Sequence, residues 1–265
     1  KNAALQGSLS GCFCILMRGM MMLRSTLQKY AAMQQLAADT MQFIQNHIQV
    51  GQTADQIKTL CETYMLAHGA QSFWYYDVGA LVFHHPDTLL SVSGREYVPA
   101  HTCIQSNDMI TIDLSPQRRR IWGDFARTFV VQNGQVVRRL DDIREAEIRN
   151  GLRFENQLHA ELRRFVDRNT TFEQLYAYMN DYIRAQGYQN LDFNGNLGHS
   201  IVKNKNHRIY IEAGNHKKLS RVRLFTFEPH IALINGTYGF KKENIYYFDG
   251  GHLRLLADTE DTYCG

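Results

Sequence analysis

The sequence predicts an α+β fold on three observations. Two helix-pair patterns are related by a constant offset, each pair precedes a stretch of strand-like alternation, and the length suits one core. A chain of 265 residues with 44% apolar and 11% aromatic content buries a sizeable core and lies near the upper range for one domain.

From Leu23 to Ile48 apolar residues recur at spacings of three and four (Leu27, Tyr30, Ala31, Met33, Leu36, Met41, Ile44), which predicts an amphipathic helix. Gly51 ends it. Thr53 is a good N-cap for a second helix through Ile57, Leu60, Cys61, Tyr64 and Met65, which closes at His68-Gly69. Between Phe73 and Val131 short alternating runs are punctuated by Gly, Pro, Asp and Asn, which reads as strands and loops. After the turn at Gln132-Asn133-Gly134-Gln135 the programme restarts, with a helical pattern from about Asp141 to Asp167 and a successor beginning at Thr171. An offset of 118 residues carries Thr53 onto Thr171, Ile57 onto Leu175, Tyr64 onto Tyr182 and Ala67 onto Ala185. The chain therefore reads as a duplicated unit over residues 23–265. Residues 1–22 differ in character and are expected to form an atypical N-terminal extension.

Charge and cysteine usage exclude several classes. A formal charge of +3 arises from 29 basic and 26 acidic residues without a single-sign block, so no nucleic-acid partner is expected. The one tight basic cluster, Arg118-Arg119-Arg120, reads as a solvated loop tip. Five cysteines at 12, 14, 61, 103 and 264 show no Cys-x-x-Cys pair, which argues against a disulfide framework or structural zinc and for a reducing, cytoplasmic setting. The apolar run from Gly11 to Leu23 is interrupted by Arg18 and is too short for a bilayer span, so no membrane association is expected.

Chemistry concentrates around four acidic residues and a histidine. In Met109-Ile110-Thr111-Ile112-Asp113-Leu114, alternation places Thr111, Asp113 and Ser115 on one face and Ile110, Ile112 and Leu114 on the other. A returning antiparallel strand follows at Trp122–Val131. A connection symmetric about residues 118 and 119 would set Asp113 opposite Asp124, where two like charges roughly 5 Å apart need a cation between them. The same spacing also suits two exposed aspartates. His199, after the glycine-bearing stretch Asn194-Gly195-Asn196, is read either as a ligand or as a structural histidine. Glu228 ends the apolar run Leu224-Phe225-Thr226-Phe227, where a buried carboxylate requires a partner. Glu243 precedes a strand-like aromatic run, but its flanking lysines also fit a surface ion pair. The aromatics at residues 73–76 serve either a core or a pocket wall.

Taken in order, these motifs resemble a known family. A strand Asp, a second Asp eleven residues on with Arg-Thr-Phe after it, Gly198-His199, Phe225-x-x-Glu228-Pro229 and Gly239-x-x-x-Glu243-Asn244 are similar to the pita-bread metallopeptidases. That family includes methionine aminopeptidase, aminopeptidase P, prolidase and the metal-free creatinase. The likeness covers about residues 23–256 and is strongest to a single-domain Xaa-Pro-peptidase-like member. It implies a pita-bread fold, a pseudo-two-fold duplicated helix pair with antiparallel strands and a metal site in a central curved sheet. It implies two divalent ions (Mn, Co, Fe or Zn), with Asp113 on one, Asp124 and Glu243 bridging both, and His199 with Glu228 completing the other. Glu228 is the implied proton shuttle, and His101 and His207 are the implied substrate histidines. The implied activity is removal of the N-terminal residue of a short peptide, of Xaa-Pro or Met type, by a chain for which a homodimer is allowed. Two alternatives stand beside it: a hydrolase acting on a small amide or amidine metabolite, and an inactive binding module. Ser115, Ser200 and His230 stand where the family commonly has glycine, which is expected to reshape the substrate pocket more than the metal site.

Overall fold

The structure is a computed structural model that describes residues 4–257 and 263, with side chains from residue 25 onward. The first half contains helices α1 (Ala4–Gln45) and α2 (Ala54–Ala67) and strands β1 (Ser72–Phe73), β2 (Ala80–His84), β3 (Asp108–Leu114), β4 (Pro116–Arg118), β5 (Ile121–Trp122), β6 (Phe125–Gln132) and β7 (Gln135–Val136). The second half contains α3 (Ala146–Phe165), α4 (Phe172–Ala185), β8 (Tyr188–Asn190), β9 (Phe225–Phe227), β10 (His230–Leu233), β11 (Gly239–Lys241), β12 (Asn244–Asp249) and β13 (His252–Leu255). Among the described residues all strand pairs are antiparallel, which gives an α+β architecture as the sequence predicts.

The duplication is visible in the capping chemistry. Thr53 and Thr171 each accept a hydrogen bond from the backbone three residues on, and Gln56 and Gln174 each reach back to the cap backbone. These reciprocal capping boxes satisfy two otherwise orphaned donors at the start of α2 and of α4. Both helices end before a glycine in the left-handed region, Gly69 (φ +124°) and Gly187 (φ +80°). The helix expected from Asp141 starts later. Residues Leu140–Asp142 form a 3-10 turn, and Glu145 caps α3 by accepting from the Glu147 amide.

Two cores result. Apolar residues of α1 and α2 pack on Ile110, Ile112 and Leu114 of β3, the face opposite Asp113. Residues of α3 and α4, among them Leu158, Leu162, Leu175 and Met179, pack on Phe225, Phe227, Ile231 and Phe240. Gly151 permits the second contact, since a Cβ there would lie 2.3 Å from the Phe240 ring. The halves join where β6 meets β11 and β12: the Glu243 amide donates to Ala126 O (3.1 Å), and the Lys241 amide donates to Thr128 Oγ1 (3.1 Å). The arginines at 118–120 are exposed at the tip of the β4–β5 hairpin. Cys61 is buried and Cys103 exposed, both free; the side chains of Cys12, Cys14 and Cys264 lie outside those described. Among the described residues no helix is long and apolar enough to cross a membrane.

Candidate metal centre

Asp113 sits near the end of β3 and faces a cavity of about 380 Å³. Thr111 and Ser115 line the same cavity, so the alternation predicted for this strand holds. The register differs from the expected one. Arg119 and Arg120 both adopt positive φ (51° and 64°), which centres the hairpin turn between them and pairs Asp113 with Ala126 rather than Asp124. Asp124 is thus two residues from the directly opposed position, a diagonal neighbour on the same face.

Asp124 lies in the break between β5 and β6 and is held by its backbone. Gln34 of α1, itself 2% exposed, accepts from the Asp124 amide (2.9 Å) and donates to its carbonyl (2.6 Å). Gly123 lets α1 approach this closely, because a Cβ there would lie 2.9 Å from Met33 O. A polar residue on the apolar face of α1 is the one sequence signal for this clamp.

His199 and Glu228 enter from the second half. Gly198 (φ +137°) packs so tightly that a Cβ would fall 2.4 Å from Thr226 O. The His199 amide then donates to Thr226 Oγ1 (2.9 Å), and the Thr226 hydroxyl donates to Glu228 Oε1 (3.0 Å). One threonine therefore orients both residues. His199 Nε2 lies 3.4 Å from Asp124 Oδ2 and 3.6 Å from Glu228 Oε1. Burial, and after it the Arg208 guanidinium, holds the imidazole well below its ordinary pKa, so it is neutral. With Nδ1–H facing Ser200 O at 3.3 Å, Nε2 is the acceptor nitrogen on the side of the carboxylates, where Arg208 Nη1 also reaches it (3.3 Å).

Glu243, between β11 and β12, is fully buried. Its two carboxylate oxygens and Asp124 Oδ2 have no hydrogen-bond partner. Burial first, then mutual repulsion with the neighbouring carboxylates, raises both the Asp124 and the Glu243 pKa well above the usual range. Donor atoms of Asp113, Asp124 and Glu243 lie within 4.8 Å of one another. Buried carboxylates without donors are costly, and a divalent cation relieves that cost at every one of them. A neutral imidazole among oxygen donors fits the same group.

Lys241 Nζ lies 2.6 Å from Asp113 Oδ2 and 3.2 Å from Glu228 Oε2. Burial alone would lower its pKa, but Asp113, Glu228 and Glu243 outweigh it, so the ammonium is retained.

Neither predicted substrate histidine lines the cavity. His101 is exposed, and His207 is exposed on the 3-10 turn Lys205–His207, because the chain between Ser200 and Ile209 folds back on itself. Ser200 drives that return: its amide donates to Ile209 O (2.8 Å) and its hydroxyl accepts from the Ile209 amide (3.0 Å). The residue delivered to the cavity is Arg208, with Nη1 donating to His199 Nε2 (3.3 Å) and its guanidinium 4.7 Å from the Trp74 ring. Trp74, Tyr75 and Tyr76 line the wall, Trp74 also being a buried core residue beside Trp122, while Phe73 packs on the core of the first half, so the aromatics serve both core and pocket. His230 is buried and donates to Thr88 O (2.8 Å), and burial pushes its pKa down to about 4.

Comparison with known proteins bears on the family and the fold. The profile of metallopeptidase family M24 matches residues 28–249. The fold is similar to X-Pro aminopeptidase from Thermotoga maritima MSB8 (TM-score 0.72, 18% identity, covering 88% of this chain and 61% of that one). It is similar to prolidase from Pyrococcus furiosus (TM-score 0.70, 17% identity, 88% and 63%). It is also similar to methionine aminopeptidase from Rickettsia prowazekii (TM-score 0.67, 16% identity, 88% and 97%). The chain thus spans about three fifths of the length of the first two and nearly all of the third. Among curated proteins none matches the sequence. A profile match over most of the chain, on a pita-bread arrangement of helix pairs and antiparallel strands, shows that the chain belongs to metallopeptidase family M24.

Proposed function

We propose that this chain is a metal-dependent exopeptidase that removes the N-terminal residue of a short peptide, using two divalent ions held by Asp113, Asp124, His199, Glu228 and Glu243. The observation that carries the reading is the convergence of partnerless, buried carboxylate oxygens of Asp124 and Glu243 with Asp113 and the Nε2 of His199 beside an open cavity. Ions bound there supply Lewis-acid polarisation of the scissile carbonyl and acidify the attacking water. Glu228 is the proton shuttle in this reading. The Thr226 hydroxyl and Lys241 orient its two oxygens, and it would take a proton from the attacking water and return one to the leaving amine. Arg208 supplies a cation in the cavity that suits the free carboxylate of a short substrate, which favours dipeptides over long chains. The names of the similar structures (X-Pro aminopeptidase, prolidase, methionine aminopeptidase) define the substrate panel.

The surface positions of His101 and His207 favour one second reading, a hydrolase acting on a small acidic amide rather than a peptide. Elemental analysis of the purified protein and of Asp124→Ala, with assays on x-Pro dipeptides, x-Pro-x and Met-x-x peptides under Mn or Co, tests both. The exopeptidase reading expects bound ion and first-residue release only in the unaltered protein. Bound ion with release from none of the peptides supports the second reading, and failure to take up ion sinks both.

A further inference from the structure

The four carboxylates of the centre are not equally provided for. Asp113 and Glu228 share the Lys241 ammonium at 2.6 and 3.2 Å, while Asp124 Oδ2 and both oxygens of Glu243 have no hydrogen-bond partner. We propose that Lys241 is an internal cation of this centre, which occupies Asp113 and so makes the second metal position weak. The first divalent ion is taken by Asp124, Glu243 and His199, and a second binds only by drawing Asp113 away from Lys241. The inference rests on the ligand set proposed above and deepens it.

The backbone supports this placement. Lys241 pairs with His230 on β10, and its amide and carbonyl both meet Thr128 Oγ1, at 3.1 and 3.2 Å. The base of the side chain is therefore fixed on two sides. The two-residue period of an extended chain sends Lys241 and Glu243 toward the carboxylates and Lys242 the other way, where its ammonium meets Asn156 of α3. The pairing fixes the direction in which the side chain leaves the backbone, and the ammonium at its end meets Asp113 and Glu228. Its side chain is 18% exposed and that of Asp113 17%, so solvent screens their attraction only partly.

Charge balance points the same way. Against four carboxylates, Lys241 and one divalent ion leave a formal charge of −1. A second divalent ion turns this to +1 inside a largely buried site, unless the ammonium withdraws or an anion enters with the ion. Removing the ammonium restores neutrality with two ions bound. The lysine thus sets how many ions are held at a given concentration, separately from which residues hold them.

The test is calorimetric titration of metal-stripped protein with Mn²⁺, repeated with Co²⁺ so that the cobalt absorption spectrum reports each site. The unaltered chain, Lys241→Met, Lys241→Gln and Lys241→Arg are compared, with circular dichroism confirming that each is folded. The expected result is one tight and one much weaker ion in the unaltered chain and in Lys241→Arg. In Lys241→Met or Lys241→Gln the second ion tightens by at least about tenfold, while the first changes little. Asp113→Asn should abolish the second ion and spare the first. Two ions of equal affinity in the unaltered chain, or a second affinity that is the same with and without the lysine, would overturn the inference and leave the proposed ligand set standing. No ion in any variant removes both.

Discussion

Glu155, on α3 beside Arg127 and Lys242, offers a test of the electrostatics that does not depend on metal. It is 2% exposed, its Oε1 has no partner, and burial pushes its carboxyl pKa up to about 8, with Lys242 and then Arg127 pulling it back. The unfolded chain ionises this group near 4.5, whereas the folded chain keeps it protonated until about 8. Stability from this residue is therefore complete below 4.5, falls by about 1.4 kcal/mol per pH unit between the two values, and levels off above 8. The full difference is about 5 kcal/mol, of which about 4 is lost between roughly pH 5 and 9. Glu155→Gln keeps the shape and removes the ionisation. Urea denaturation of both proteins across that range should show the unaltered chain losing stability relative to the variant, most steeply below pH 8. A difference that stays flat with pH would mean that Glu155 ionises in the normal range as a buried ion pair with Lys242 or Arg127, and the assignment of a neutral carboxyl would be wrong.

Three further outcomes follow from the geometry. Thr53→Ala and Thr171→Ala should each cost about 1 kcal/mol by urea denaturation, and the double variant about the sum, since each removes one capping box on a separate helix. Gln34→Leu removes both bonds to the Asp124 backbone and should cost about 1–3 kcal/mol of stability and, under the proposed ligand set, loosen the first ion in a Mn²⁺ titration; unchanged metal affinity would show that Asp124 is positioned without the clamp. Under the proposed function, Arg208→Met should raise KM by about tenfold or more for dipeptides with a free carboxylate and leave C-terminally amidated substrates nearly unaffected.

The parts of this molecule that were legible in sequence are those whose signal is local. A capping threonine, a glutamine three residues on and a glycine after the last turn define α2 and α4 without reference to anything distant. Period-two alternation likewise assigned Thr111, Asp113 and Ser115 to one face. The register of the hairpin was displaced because its turn is built from two arginines in the left-handed region, a conformation that glycine or asparagine would have signalled and arginine does not. Gln34 was hidden by the helical period, since an isolated polar residue on an apolar face carries no indication of which backbone it will meet. His101 and His207 rested on the family resemblance alone, whereas the fold-back between Ser200 and Ile209 depends on hydrogen bonds across the loop and brings Arg208 inward.

That substitution changes the electrical character of the cavity, and the change bears on substrate choice more than on metal binding. Imidazoles near a scissile bond would offer neutral donors to a peptide carbonyl, which any peptide can use regardless of length. A guanidinium beside His199 offers a full charge, which is satisfied only by an anion. At the other side Asp113 lines the wall together with Asp192, whose carboxyl is held above its usual pKa first by burial and then by Glu228. Under the proposed reading, the amino group of a substrate is drawn toward these carboxylates and its carboxylate toward Arg208. An extended chain advances only about 3.5 Å per residue, so satisfying both ends while holding the peptide bond at the metal ligands limits the number of residues that fit. The ligand set that the sequence made recognisable would thus define the reaction, and Arg208, delivered by a loop whose course was not recognisable, would define the length of its substrate.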